Sequence, residues 1–320
     1  VDAPAIRGSA RPPFVTHGDA GLRSLKTAAE QSGIAIDEFV VPTDVQAILG
    51  TLRFHYLDWG GSGARTIVFL HGFALNAHTW DLVCLALRPD YRCIALDLRG
   101  HGDSEWSPGL HYDLRSLADD VGHLLDALDV DRPILVGMSM GGMTALRFAA
   151  DHSDRLAGLV VIEAGAVPRD DGLRRLRGFI AAEHEHDSIE DFVSQAVSFN
   201  SRRDPELLRM SLRHNLRQLW NGRWTWKYDR RHLGVVPGDQ HVRAMEALAA
   251  ESPAIACPTL IVRGSDSDLF SVEDAESVTQ RIPSARWVTV MSAGHNVQGD
   301  NPGGFVEALG GFLSEIGEKS

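Results

Sequence analysis

The chain has 320 residues, 44% hydrophobic and 23% charged, with 31 Lys and Arg against 43 Asp and Glu and a formal net charge of −12. Such a composition is ordinary for a soluble globular protein, and the length suffices for one large domain plus an insertion. The acidic balance disfavours a nucleic-acid partner, which needs a basic footprint, and no apolar run approaches the ~18–20 residues of a membrane span.

Taken in chain order, residues 1–35 are rich in Ala, Gly, Arg and Pro and carry one helical stretch, Ala20 to Gln31; they are read as an N-terminal extension. Nothing there has the charged-then-apolar pattern of a secretory leader. Strand-like runs follow at Glu38-Phe39-Val40-Val41 and at Thr51 to Leu57, then the turn Gly60-Gly61-Ser62-Gly63. The buried-strand run Thr66-Ile67-Val68-Phe69-Leu70 leads into His71-Gly72-Phe73. A helix near Trp80–Leu87, a strand Arg92–Leu96 and a helix Leu114–Leu128 come next. Pro133-Ile134-Leu135-Val136 then enters Gly137-Met138-Ser139-Met140-Gly141, which opens another helix. Strands alternating with helices call for a parallel sheet covered on both faces.

Residues 168–240 break this rhythm. They are charged and helical in pattern, and they lack buried strands. Arg174-Arg175-x-Arg177 reads as a solvated helix face, and His184-x-His186 lacks a third ligand and reads as surface helix rather than a metal site. Trp220, Trp224 and Trp226 cluster here as glue to the rest of the molecule or as a wall facing a ligand. Strand periodicity resumes at Thr259 to Gly264 and at Trp287 to Met291. Asp300-Asn301-Pro302 then opens the last helix with a polar cap and a proline in its first turn.

The chemistry is carried by G-x-S-x-G between a strand and a helix. That context makes Ser139 a nucleophile on a sharp turn, where only small neighbours avoid clashes. A serine nucleophile needs a base, an acid and oxyanion donors. His295, after Gly294 on a small-residue loop, is the base. The loop Ser265-Asp266-Ser267-Asp268 after a buried strand offers two carboxylates. Asp268 is the expected acid, because Leu269-Phe270 beside it suggests burial and a buried carboxylate requires a partner; Asp266 reads as a turn former. Glu163, at the end of Leu159–Ile162, is a third strand-end carboxylate. The backbone N–H groups of Phe73 and Met140 are the expected oxyanion donors, and His71 is expected to bond within its own loop.

His71-Gly72-Phe73, Asp97-Leu98-Arg99-Gly100-His101-Gly102-Asp103-Ser104, Gly137-Met138-Ser139-Met140-Gly141-Gly142 and Gly294-His295 together resemble the α/β-hydrolase superfamily, over about residues 50–316. The similarity lies with its small-molecule esterases, lactonases and C–C bond hydrolases of ring-cleavage products. The resemblance implies a mostly parallel eight-stranded sheet with helices on both faces and a helical cap inserted after strand six. It divides the chain into a core of 36–167 and 241–320 and a cap of 168–240. It implies Ser139 as nucleophile, His295 as base and a loop aspartate as third member, with Asp97 in a structural turn. One position departs from the pattern: the residue three beyond the strand-end glycine, often the acid, is Ser267.

The expected function is a serine hydrolase of a small apolar or aromatic ester or lactone. C–C bond hydrolysis is the alternative, and a small-molecule receptor on the same scaffold is the reading from another class. Trp80, Met138, Phe270, Val297 and Trp224 are the expected substrate contacts. No metal or organic cofactor is implied by any motif. The expected partner is a small-molecule substrate, without nucleic acid or membrane, and the extension leaves a homo-oligomer open. Cys84, Cys93 and Cys257 are scattered without metal spacing, which favours a reducing cytoplasm.

Overall fold

Eight strands form one sheet in the order β1-β2-β4-β3-β5-β6-β10-β11 in the computed structural model, which describes residues 19–61, 63, 65–166, 178, 182–199, 203–232 and 238–317. β2 (Leu52–Asp58) alone is reversed, pairing antiparallel with both the edge strand β1 (Thr43–Leu49) and β4. The parallel part comprises β3 (Thr66–Leu70), β4 (Arg92–Leu96), β5 (Ile134–Met138), β6 (Gly158–Ile162), β10 (Thr259–Gly264) and β11 (Ala285–Val290). The central strands are buried along their whole length, as strands covered on both faces must be.

The two faces are closed by separate apolar layers. On one side α3 (Leu114–Ala127), α4 (Met140–His152), α7 (Gly238–Glu251) and α8 (Val272–Arg281) pack through residues such as Leu124, Phe148, Leu248 and Val278. On the other, α2 (Asp81–Leu87), the short α9 (Val297–Asp300) and the last helix α10 (Pro302–Gly317) pack through Val83, Val297, Phe305 and Phe312. The extension contributes α1 (Asp19–Ser32), whose Ala28 and Ala29 are buried and whose Leu25 lies on this second layer. Residues 1–18 lie outside the described residues, as do the arginines expected on a helix face at 174–177.

Two expectations need correction. The run at Glu38–Val41 is not a strand; Phe39 and Val40 pack on the core without a ladder, and the first strand begins at Thr43. The hairpin to β2 turns through Gly50 at φ 59, a conformation open to glycine at no steric cost. The segment between β6 and β10 is also not purely helical. Besides α5 (Ile189–Phe199) and α6 (Pro205–Asn215) it holds a small antiparallel sheet, β7-β9-β8, made of Glu185–His186, Trp224–Trp226 and Leu216–Gln218. Phe192, Leu212, Trp226 and Tyr228 form its own apolar core. A strand of three residues is too short to imprint a period on the sequence.

Candidate active site

Ser139 sits between β5 and α4 at φ 52, ψ −114, a strained backbone for a residue with a side chain. The sequence permits it because glycine flanks the turn. A Cβ on Gly137 would lie 2.2 Å from the Gly141 carbonyl oxygen, and one on Gly141 would lie 2.3 Å from that of Leu70. The turn is held from outside by the Ser139 amide, which donates to Ile162 O on β6 at 2.8 Å.

His295 lies on the loop after β11, and its Nε2 is 3.1 Å from Ser139 Oγ. The loop is pressed against the end of β10: a Cβ on Gly264 would come within 2.3 Å of the carbonyl oxygens of Ala293 and Gly294. Gly294 N donates to Asp300 Oδ2 at 2.9 Å, and Asp266 N to Ala293 O at 2.9 Å. Asn301 Oδ1 accepts from Gly304 N and so caps α10.

The carboxylate facing the other nitrogen corrects the sequence expectation. His295 Nδ1 lies 3.1 Å from Glu163 Oε2, where Asp268 was the expected acid. Glu163 directly follows β6 with φ 56, and its side chain is wholly buried. Its Oε1 accepts from Gly264 N at 2.7 Å, and its Oε2 also accepts from the Ser267 hydroxyl. A buried carboxylate is thus supplied with three donors. In the Asp266–Phe270 loop the apolar pair Leu269-Phe270 is buried while Asp266 and Asp268 are exposed. Burial of Leu269-Phe270 therefore does not extend to the carboxylate beside it. The loop sends Ser267 inward instead, and that hydroxyl also accepts from the amides of Leu269 and Phe270. A tautomer with Nδ1–H directed at Glu163 would present a lone pair at Nε2 to the Ser139 hydroxyl.

The loop after β3 lies directly on the Ser139 turn. A Cβ on Gly72 would be 2.5 Å from Met138 Sδ and 3.4 Å from Ser139 Cβ. His71 is fully buried and is used within the fold: Nδ1 donates to Gly72 O at 2.7 Å and Nε2 accepts from Leu98 N at 3.0 Å. Met140 is the first residue of α4, where helix geometry gives the amide no partner within the helix. The turn 97–104 is tied by Asp97, which accepts from Ala77 N, Asp103 N and His55 Nδ1.

The segment between β6 and β10 meets the Ser139 region at Phe73. Its ring lies 5.1 Å from Tyr228 and 5.2 Å from both His232 and His101, edge-on in each case. Burial holds His101 well below the usual histidine range and His232 down to about 4, while it raises the Tyr228 hydroxyl to about 12. This wall is therefore uncharged near neutral pH. It is anchored by Asp229, fully buried, which accepts from the Tyr112 hydroxyl at 2.5 Å and pairs with Arg231. Sequence reading missed Tyr228 and His232; the aromatic run from Trp224 to Tyr228 was the available signal.

The expected substrate contacts fare unevenly. Met138 stays beside Gly72 under the site, but it is buried. Trp80 is wholly buried against Phe69 and Phe305, and Val297 shares that core layer. Phe270 belongs to the opposite core layer, and Trp224 is half-buried against the apolar cluster of the segment between β6 and β10. Trp80, Val297 and Phe270 are thus core residues, because apolar residues next to strand ends serve packing as readily as a pocket.

A parallel sheet with a nucleophile-type turn, a loop histidine and a buried carboxylate at the strand ends defines the hydrolase class of open α/β proteins. The chain belongs to the α/β hydrolase family, whose profile, described as alpha/beta hydrolase fold, matches residues 65–302. It is 34% identical over 265 residues to Esterase Rv0045c of Mycobacterium tuberculosis, covering 80% of this chain and 85% of that protein. The crystal structure of that esterase superposes with a TM-score of 0.72 at 31% identity, covering 91% of this chain and 96% of the other. The chain is also 27% identical over 269 residues to 3-oxoadipate enol-lactonase 1 of Acinetobacter baylyi, covering 80% of this chain and 91% of that protein. Among the described residues, no helix is long and apolar enough to cross a membrane.

Proposed function

We propose that this protein is a serine hydrolase that cleaves a small, apolar carboxylic ester or lactone through an acyl-enzyme. The observation that carries the reading is the line Ser139 Oγ, His295 Nε2, His295 Nδ1, Glu163 Oε2, with 3.1 Å at each hydrogen bond. Ser139 attacks the carbonyl carbon as its proton passes to Nε2. Glu163 holds the imidazole in the required tautomer and stabilises the imidazolium. The amides of Phe73 and Met140 receive the oxyanion; removing one such donor costs about 3–4 kcal/mol in comparable enzymes. His295 returns the proton to the leaving alkoxide, then activates the water that releases the acid.

The uncharged wall of Phe73, Tyr228 and His232 supports an apolar acyl or alcohol group. Similarity to an esterase and to an enol-lactonase supports the same bond class. All three cysteines are free and buried, which fits a reducing compartment such as the cytoplasm.

The test is a pre-steady-state burst with p-nitrophenyl butyrate. A burst of one nitrophenolate per chain, absent in Ser139→Ala, is the expected result. Turnover that survives Ser139→Ala, or a wild type that neither turns over nor is labelled by a fluorophosphonate, overturns the proposal; the latter favours a receptor.

A further inference from the structure

A second crevice, about 360 Å³, lies between the extension, the cap and the core, and none of Ser139, His295 or Glu163 lines it. Its walls include Leu25 and Ala28 of α1, Leu207 and Met210 of α6, and Gln298 next to the His295 loop. On it His78, Asp81 and His214 converge, with one ligand-capable atom of each within 4.8 Å of the others.

The three arrive from different elements. His78 belongs to the 3₁₀ turn Ala77–Trp80, Asp81 opens α2, and His214 is in the last turn of the cap helix α6. His78 Nδ1 is 3.0 Å from Asp81 Oδ2, and the rings of His78 and His214 stack at 3.6 Å between centroids with 28° between planes. Neighbouring bonds set the frame. Asn76 caps the turn and bonds Asn215, the residue after His214, while Thr79 Oγ1 accepts from Gln298 Nε2 at 3.2 Å.

We propose that these residues form a binding site for a divalent late-transition cation of the Zn²⁺ class, and that the bound cation clamps the cap to the core. Two imidazoles and one carboxylate are the donor set such ions take, and they leave a fourth position for water. Bonds of ~2.0–2.1 Å put tetrahedral ligands roughly 3.4 Å apart. The side chains must therefore close by about an ångström, and the stacked rings must splay so that both lone pairs converge. Asp81 is buried in the crevice wall, while His78 and His214 are half-buried on it and have the room to move. Because His214 belongs to the cap and His78 and Asp81 to the core, occupancy ties α6 to the turn that Gln298 also holds.

The purified, chelator-treated protein is titrated with Co²⁺ and, in competition, Zn²⁺. The visible spectrum and calorimetry give occupancy; hydrogen exchange reads α6. The expected result is one Co²⁺ per chain with ligand-field bands displaced by Zn²⁺, at least tenfold weaker binding in both His214→Gln and Asp81→Asn, and unchanged binding in His184→Ala. Zn²⁺ should also slow exchange of residues 205–215 in the wild type but not in His214→Gln. Equal metal-free melting of variants and wild type shows that the fold is kept. Absence of binding, or binding untouched by both ligand substitutions, overturns the site. Binding without protection of 205–215 overturns the clamp.

Discussion

Two histidines in this molecule each bond a buried carboxylate, yet their surroundings assign them opposite tasks. His55 Nδ1 is 2.7 Å from Asp97 and its Nε2 is 2.9 Å from Asp44, so both nitrogens face carboxylates. Burial pulls its pKa down, but the charge of Asp97 and the bonds to Asp44 and Asp97 outweigh that and raise it to about 10. The same contact holds Asp97 well below the usual carboxylate range against the opposing effect of burial. The pair is a fixed ion pair that braces the 97–104 turn. His295 has a carboxylate on one nitrogen only, and the other meets the hydroxyl of Ser139. An imidazole between a carboxylate and a hydroxyl can take up and return a proton; one between two carboxylates stays charged. What stands at the second nitrogen, rather than the presence of a carboxylate at the first, separates the two histidines and carries the proposed role of His295.

Substitutions should separate the two pairs cleanly. Ser139→Ala should lower kcat with p-nitrophenyl butyrate by ~10⁴-fold or more with an unchanged melting temperature, measured by steady-state kinetics and calorimetry. Glu163→Gln should lower kcat by about 10³–10⁴-fold, because the amide no longer favours the productive tautomer. At the structural pair the effect moves to stability. His55→Ala should cost about 3–5 kcal/mol in urea unfolding, since it strands a buried carboxylate, with kcat per folded molecule within a few-fold. The pH dependence follows from the shifts. A histidine whose folded pKa is about 10, against 6.5 when unfolded, stabilises fully below 6.5, and the contribution fades as pH rises through 10. Asp97, depressed from 3.8, contributes above that value and loses its share as pH falls below it. The gap in melting temperature between wild type and His55→Ala should therefore be widest near pH 4–6.5 and narrow toward pH 10. A gap that widens with alkali would break the comparison.

The Ser139 turn and the His295 loop were legible in the sequence because their signals are local. Gly137 and Gly141 are required by contacts at Ser139's own turn, and Gly294-His295 follows directly from a strand. The carboxylate that faces His295 was not, because three segments meet on it. Gly264 N, Ser267 Oγ and His295 Nδ1 converge on Glu163, while the exposed Asp268 differs from it in nothing the local sequence records. The sheet was likewise legible where strands are buried end to end. It was misplaced at Glu38–Val41, where an apolar run packs on the core without a ladder. The wall of Phe73, Tyr228 and His232 joins the core to a residue more than 150 positions away, beyond any local pattern.

The measurement that bears most directly on the central claim is the rate at which a fluorophosphonate labels Ser139 in the wild type, Glu163→Gln and Asp268→Asn, followed by intact mass. The account expects labelling about 10³-fold slower in Glu163→Gln and within twofold of wild type in Asp268→Asn. The reverse order, with Asp268→Asn impaired and Glu163→Gln intact, would contradict it.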